Sequence, residues 1–116
     1  MEYLPLFANI TDRPVLLVGG GEVALRKARL LLEAGARLTV VAPEFHPELV
    51  ELVQSDRLRA ISGTFSHSHL AGQRLVIAAT DDEAVNREVA RASDAAEIWV
   101  HVVDDPAHSS FIFPST

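Results

Sequence analysis

Apolar residues along this chain fall into short runs that alternate with helical patterns. Apolar positions at helical spacing predict helices over 22–34, around 47–54 and after Thr80, where Thr80 and Glu83 fit a T-x-x-E capping box. Five short apolar runs predict strands, the third of them weakly: 15–18, 38–42, 58–61, 75–79 and 98–103. The strands are apolar on both faces, which is typical of a buried parallel sheet.

This alternation predicts an α/β fold of the Rossmann type. Helices cover both faces of a doubly wound parallel sheet, and right-handed crossovers favour the strand order 3-2-1-4-5. The whole chain, 1–116, is predicted to be a single domain. In this order the second and third strands lie on one side of the first strand, and the fourth and fifth strands lie on the other. Ligands are therefore expected in the crevice beyond the carboxyl ends of the first and fourth strands.

Three consecutive glycines separate the first strand from the first helix. Gly19, Gly21 and Ala24 fit the pattern G-x-G-x-x-[GA] of dinucleotide-binding folds. Gly19 would permit the tight turn, Gly21 would let the backbone approach a pyrophosphate, and Ala24 would let helix and strand pack closely. The N–H groups at the start of the helix would face the phosphates. The alternative is an ordinary turn between strand and helix, and no separate role is indicated for Gly20.

The residues after the second and fourth strands extend the predicted nucleotide site. Glu44 follows Pro43, two residues beyond the usual place of the acid that binds the adenosine ribose; an exposed loop glutamate is the alternative. No arginine follows the strand to take a 2′-phosphate, which favours NAD over NADP. Thr80, Asp81 and Asp82 are expected across the crevice, although the two aspartates also suit the first turn of a helix.

Two carboxylates leave the end of the fifth strand. Asp104 and Asp105 precede Pro106 and are expected near the nicotinamide end of a bound cofactor. A carboxylate there could accept a proton while a hydride leaves for the cofactor. The alternative is structural, because aspartate before proline is also a common turn signal.

Composition narrows the class of protein. A chain of 116 residues with 48% hydrophobic content buries one core. Its formal net charge of -6 and its single lysine, Lys27, argue against a nucleic-acid partner. No apolar run is long enough for a membrane span, and the N-terminus lacks a basic secretion signal, so we expect a cytoplasmic protein. The absence of cysteine excludes disulfides and thiolate metal sites.

Three stretches carry a resemblance to a known family: LPLFANITDRPVLLVGGGEVALRKARLLLEAGARLTVVAPE, VIAATDDEAVN and VVDDPAHSSFIFPS. Together they resemble the N-terminal domain of the siroheme synthases, which act as precorrin-2 dehydrogenase and sirohydrochlorin ferrochelatase. The similarity covers essentially the whole chain. The pattern VVDxP followed by SFIxPS is much more specific than the glycine motif.

The resemblance implies oxidation of precorrin-2 to sirohydrochlorin with NAD as cofactor, followed by insertion of ferrous iron, a second substrate, to give siroheme. It implies that Asp104 is essential to both steps. It places NAD contacts at Glu22, Val23, Pro43 and Glu44. No metal site of the protein is predicted, and we expect the iron to be held chiefly by the tetrapyrrole nitrogens.

The chain departs from the family pattern at two places. His101 stands where the family usually has asparagine, and it is either a buried neutral histidine with a hydrogen-bond partner or a proton relay or metal contact beside Asp104. Family members also continue beyond FIFPS into a helical segment that dimerises and completes the tetrapyrrole pocket. We therefore expect a homodimer of the full-length protein, and a chain ending at Thr116 that binds NAD but turns over precorrin-2 poorly.

Charge raises a question about this substrate. Precorrin-2 is a large polyanion, which a chain of net charge -6 repels unless a local cation compensates. Lys27 is a candidate, and a lysine that snorkels at the flank of its helix is the alternative. His67 and His69 form H-x-H in a loop, but without a third ligand they do not predict a metal site.

Two other classes of function fit the same pattern. A regulatory nucleotide-sensing module, such as those attached to ion channels, would need the nucleotide site but no base at Asp104. A degenerate fold used only for dimerisation would need neither.

Overall fold

A computed structural model of the chain describes residues 3–113. Residues 114–116, which complete the SFIxPS pattern, lie outside the described residues. In chain order the helices and strands of the described part are β1 (Pro14–Val18), α1 (Glu22–Glu33), β2 (Arg37–Ala42), α2 (Pro47–Gln54), β3 (Arg59–Ser62), β4 (Leu75–Ala78), α3 (Glu83–Ala95) and β5 (Trp99–Val102). Short 3-10 helices occupy His67–Leu70 and Pro106–His108.

The five strands form one parallel sheet in the order β3-β2-β1-β4-β5. This order confirms the prediction, and the boundaries of the strands and of the first two helices lie within one residue of those expected. Because β1 and β4 are neighbours while their crossovers run in opposite directions, a crevice opens at their carboxyl ends.

The residues of each strand alternate between two hydrophobic cores. On one face of the sheet, Val15 and Leu17 of β1 belong to a core that includes Leu31 of α1 and Leu49 of α2. On the other face, Leu16 and Val18 belong to a core that includes residues of α3. These four β1 side chains are at most 2% exposed, so β1 is held rigidly between the helical layers.

The start of α3 differs from the prediction. Asp82, not Thr80, is the N-cap: its carboxylate accepts hydrogen bonds from the N–H groups of Ala84 at 3.0 Å and Val85 at 3.4 Å. The predicted capping box of Thr80 and Glu83 is therefore wrong. The Thr80 hydroxyl is instead engaged within its own turn, which leaves the carboxylate of Asp82 to cap the helix.

The segment of residues 109–113, called the edge strap here, folds back along the outer edge of β5. The Ser110 hydroxyl accepts a hydrogen bond from the Val100 N–H at 2.7 Å, and the Ser109 hydroxyl accepts one from the Val102 N–H at 2.8 Å. The Nδ1–H of His101 donates to the Phe111 carbonyl at 3.2 Å. The edge strap thus satisfies backbone groups that an edge strand otherwise leaves to solvent.

None of the helices within residues 3–113 is long and apolar enough to cross a bilayer.

Candidate functional site

A cleft of about 1120 Å³ opens where the sheet predicts one, at the carboxyl ends of β1 and β4. It brings together all but one of the residues predicted to bind cofactor or to act in catalysis: Gly19, Gly21, Glu22, Val23, Pro43, Glu44, Thr80, Asp81 and Asp104. The exception is Ala24, which lies on the buried face of α1, in the core. This position agrees with the close packing of helix against strand that the motif requires.

The first two glycines are positions where a side chain has no room. Gly19 has φ +136°, and a Cβ there would lie 2.5 Å from the carbonyl oxygen of Ala79 at the end of β4. A Cβ at Gly20 would collide with the carbonyl oxygen of Glu44 and lie 2.8 Å from the Cβ of Ala42. Packing thus requires glycine at position 20, which the sequence alone did not explain, since the contact comes from the loop after β2.

The third glycine is open to the cleft. Gly21 is the N-cap of α1, no side chain caps the helix there, and a Cβ on Gly21 would meet nothing within 4 Å. The N–H groups in the first turn of a helix have no partner within the helix, and they carry its positive dipole end. This exposed turn, with Glu22 and Val23 at its start, fits a pyrophosphate approaching the backbone.

The loop after β2 is tied to the glycine turn. The His46 N–H donates to the Gly20 carbonyl at 2.7 Å, and the Nδ1 of His46 accepts from the Glu48 N–H at 3.1 Å to cap α2. Pro43 and Glu44 are exposed on the wall of the cleft. Both therefore line the cleft, and their contact with the ribose stays a prediction.

Across the cleft, Asn86 determines the shape of the Thr80 turn. Its side-chain oxygen accepts from the Thr80 hydroxyl at 2.6 Å and from the Thr80 N–H at 3.2 Å, and its amide donates to the Thr80 carbonyl at 3.0 Å. Asn86 is 7% exposed, so its polar groups are satisfied in the interior. The sequence reading missed it, although a polar residue three before Val89 on a buried helical face is a signal.

Asp104 projects from the turn that follows β5. It has φ +59°, a left-handed conformation that aspartate tolerates better than most residues. The Val103 N–H donates to the Ala78 carbonyl at 3.0 Å, which fixes the turn against the end of β4. Asp104 is exposed to the cleft. Its carboxylate is therefore available for chemistry at the same edge of the sheet as the glycine turn.

Asp105 has a different environment from its neighbour. Its carboxylate lies 2.8 Å from Nδ1 of His108. The hydrogen bond from His108 lowers the pKa of Asp105 below its usual value. Of the two predicted carboxylates, Asp105 thus serves the turn and Asp104 faces the cleft.

A second cavity of about 270 Å³ adjoins the cleft, and Val23, Val103 and Asp104 line both. Lys27 and His101 lie on the far side of this wall. Burial, with the nearby Arg26 charge, lowers the pKa of Lys27, and Asp104 acts in the opposite direction. Burial also lowers the pKa of His101.

The sequence leaves two alternatives for His101 and two for Lys27, and the surroundings of each residue bear on them. His101 is 9% exposed and hydrogen-bonded to Phe111, as the structural alternative for this residue predicts. Lys27 is 8% exposed, and its ammonium lies 4.8 Å from the centre of the Phe113 ring. It does not extend past the helix flank into solvent, as a snorkelling lysine would.

The H-x-H histidines contact protein groups. His67 Nε2 lies 2.7 Å from the carboxylate of Glu88, and Nδ1 of His69 accepts from the Ser66 N–H at 3.0 Å. In the part of the chain that the structure describes, no three His, Cys, Asp or Glu side chains form a group that could hold a metal ion.

Comparison with known proteins identifies the family. The profile of a family described as putative NAD(P)-binding matches residues 6–115. The siroheme synthase of Tolumonas auensis is 65% identical over 115 residues, which are 99% of this chain and 24% of that protein. Siroheme synthase 2 of Aeromonas hydrophila is 57% identical over the same shares of both chains. This chain thus spans about a quarter of the length of these curated relatives.

Among solved structures, SirC, a precorrin-2 dehydrogenase, superposes with a TM-score of 0.82 and 27% sequence identity, over 97% of this chain and 55% of that one. This structural match agrees with the fold described above. The chain therefore belongs to the putative NAD(P)-binding family, and its predicted resemblance to the siroheme synthases is confirmed.

Proposed function

We propose that this chain binds NAD in the cleft and oxidises precorrin-2 to sirohydrochlorin, with Asp104 as the catalytic residue. The observation that carries the proposal is that the Asp104 carboxylate and the glycine turn line one cleft, from opposite sides of the junction between β1 and β4. The similarity to siroheme synthases and to a precorrin-2 dehydrogenase supports this choice of reaction.

The chain's own groups suit the diphosphate of the cofactor. The open backbone at Gly21 and the uncapped start of α1 would bind the phosphates, while Glu44 is placed for the ribose. Thr80 and Asp81 would border the nicotinamide half from across the cleft. When bound, NAD supplies the hydride acceptor that no side chain can provide.

Asp104 would take the proton that leaves the substrate. Oxidation of precorrin-2 removes two electrons with one proton as hydride and releases a second proton, which a carboxylate at the cleft wall accepts. The same carboxylate would then accept pyrrole protons as ferrous iron, a substrate, enters sirohydrochlorin. We therefore propose the ferrochelatase step as a second activity of the same site, with the iron held chiefly by the tetrapyrrole nitrogens.

We further propose that a following helical segment, present in the full-length protein, dimerises and completes the tetrapyrrole pocket. The chain by itself would then bind NAD and turn over precorrin-2 slowly. A chimera in which this chain replaces the matching 115 residues of the Tolumonas auensis siroheme synthase would carry the proposed segment. We expect the chimera to be dimeric in sedimentation and much faster than the chain alone in NADH formation.

Replacement of Asp104 in the chimera tests the catalytic role. We expect Asp104→Ala to abolish NADH formation from precorrin-2, because the proposed proton acceptor is removed, and to leave calorimetric binding of NAD unchanged. The matched control is Asp105→Ala, whose carboxylate is engaged by His108. It should retain at least about a third of the turnover.

Three results would contradict the proposal. Unchanged turnover in Asp104→Ala would reject this residue as the proton acceptor. NAD binding without any oxidation of precorrin-2 by the unmodified chimera would favour a nucleotide-sensing module. Tighter binding of NADP than of NAD would overturn the choice of cofactor.

A further inference from the structure

The turn after β5 holds Asp104 in an unfavourable backbone conformation. The Asp105 N–H donates to the Val102 carbonyl at 3.1 Å and closes a turn in which Asp104 is the third residue. Asp104 has φ +59°, which costs most residues energy and which glycine adopts more readily. Such a conformation persists only where surrounding contacts fix it. The position of the exposed Asp104 carboxylate therefore depends on what holds the turn closed.

One side chain bridges the two ends of this turn. The Ser109 hydroxyl accepts a hydrogen bond from the Val102 N–H at 2.8 Å and donates one to the Asp105 carbonyl, also at 2.8 Å. A serine hydroxyl has one proton and two lone pairs, so both contacts can form at once. The other acceptor within its reach, the Val102 carbonyl, is farther away at 3.3 Å. Ser109 thus joins the first residue of the turn to the last.

Ser109 is itself fixed by the backbone on either side of it. Its own N–H donates to the Pro106 carbonyl at 3.2 Å, and the N–H of Ser110 donates to the Val100 carbonyl at 2.7 Å. Ser109 is half-buried between these two hydrogen bonds. Its hydroxyl therefore has a firm support from which it can oppose movement of the turn.

The next residue of the edge strap makes only half of these contacts. The Ser110 hydroxyl accepts from the Val100 N–H at 2.7 Å and lies 3.2 Å from the Val100 carbonyl. It covers the edge of β5 as Ser109 does, two residues earlier along the strand. Both of its contacts are with β5, whereas the contact of Ser109 with Asp105 lies beyond the strand. The contact with Asp105 is thus what distinguishes Ser109 from its neighbour.

We propose that Ser109 is a positioning residue for the reaction, whose hydroxyl keeps the turn closed so that the Asp104 carboxylate stays at the cleft wall. This inference rests on the proposed function, in which Asp104 accepts the proton. Proton transfer requires the two groups to lie within hydrogen-bond reach, and a small displacement of a catalytic group lowers the rate steeply. Ser109 takes no proton from the substrate and acts through Asp104.

Replacement of Ser109 in the chimera tests this role. In Ser109→Ala we expect kcat for NADH formation to fall about tenfold or more, because the carboxylate is less often within reach of the proton. The KM for precorrin-2 and the calorimetric affinity for NAD should stay within about twofold, since Ser109 does not line the cleft. Ser109→Thr keeps the hydroxyl and should remain within about threefold of the unmodified kcat.

Ser110→Ala is the matched control. It removes an equivalent hydrogen bond to β5, so its urea midpoint should fall about as much as that of Ser109→Ala. Its kcat should nevertheless stay within about twofold of the unmodified chimera, because the turn keeps its bridge. If Ser109→Ala does not fold, Ser109→Cys replaces it, since a thiol fills the same place but is a weak donor. Its kcat should fall as well.

The outcomes separate this inference from the proposed function. An unchanged kcat on removal of the Ser109 hydroxyl, or equal losses of kcat in Ser109→Ala and Ser110→Ala, would overturn the role of Ser109. An inactive Asp104→Ala variant, measured alongside, would leave the proposed function standing in both cases. Unchanged turnover in Asp104→Ala, or no oxidation of precorrin-2 by the unmodified chimera, would overturn the proposed function and the role of Ser109 with it.

Discussion

Two turns at the same edge of the sheet have opposite requirements. The glycine turn after β1 depends on missing side chains, because Gly19 and Gly20 face backbone atoms of β4 and of the loop after β2. The turn after β5 depends on a side chain that is present, the exposed carboxylate of Asp104. One turn is determined by packing and the other by chemistry. Substitutions should therefore damage stability in the first turn and activity in the second.

The largest effect on stability is expected at Gly20. In Gly20→Ala the new methyl group collides with the Glu44 carbonyl, and backbone cannot move aside as a flexible side chain can. We expect a loss of about 3 kcal/mol in the free energy of unfolding, measured with urea. A loss below about 1 kcal/mol would show that the loop after β2 adapts and that the glycine turn is not set by this contact.

Gly21→Ala is the matched control for Gly20, since its methyl group would meet nothing within 4 Å. We expect stability within about 1 kcal/mol of the native value, as for other changes at an N-cap. NAD binding should nevertheless weaken about tenfold in calorimetry, because the methyl group stands where the proposed pyrophosphate approaches the backbone.

The second turn should respond in the opposite way. Asp104→Gly relieves about 1 kcal/mol of strain in the folded chain, because glycine tolerates the left-handed conformation of this residue. It also destabilises the fold by a similar amount, because glycine gives the unfolded chain more conformational entropy. The free energy of unfolding should thus change by less than about 1 kcal/mol, while NADH formation by the chimera is lost. Asp12→Gly, at an exposed residue with φ +60°, should match it in stability and keep full activity.

The smallest expected effect is the pH dependence contributed by His101. Burial lowers the pKa of this histidine in the folded chain, whereas an unfolded histidine titrates near its usual value of about 6.5. Below that value the unfolded chain binds the extra proton, so the stabilising contribution is complete above about pH 6.5 and declines as the pH falls through the lowered pKa.

Urea unfolding between pH 7.5 and about pH 5 measures this contribution. The His101→Asn variant keeps a side-chain donor that can reach the Phe111 carbonyl but has no group that titrates in this range. Its free energy of unfolding should therefore decline less steeply with falling pH than that of the native chain. Parallel curves would show that His101 is protonated equally well in both states.

The sequence predicts the fold well because each of its signals is local. The strand order followed from alternating apolar runs, and the nucleotide turn followed from Gly19 and Gly21 at the end of the first run. The placement of Asp104 at the cleft also followed from the end of a strand. Each of these predictions needed only residues close together in the chain.

The remaining details depend on contacts between distant residues. The packing around Gly20 comes from Glu44, and the burial of Lys27 goes with its contact to Phe113, which a helical pattern does not place. The wrong capping box has a different cause: Asn86, a near neighbour in the chain, takes the Thr80 hydroxyl and leaves Asp82 to begin the helix. Local patterns identify candidates for such roles, but tertiary packing selects among them.

The hydroxyl groups of Ser109 and Ser110 have a consequence for how this protein behaves in a crowded solution. By occupying the N–H groups of Val100 and Val102, they remove the template onto which a foreign strand would add. A second molecule that extended the sheet here would first have to displace both serines. Growth of cross-molecular sheets, an early step in fibril formation, is thereby hindered at β5 by two small side chains.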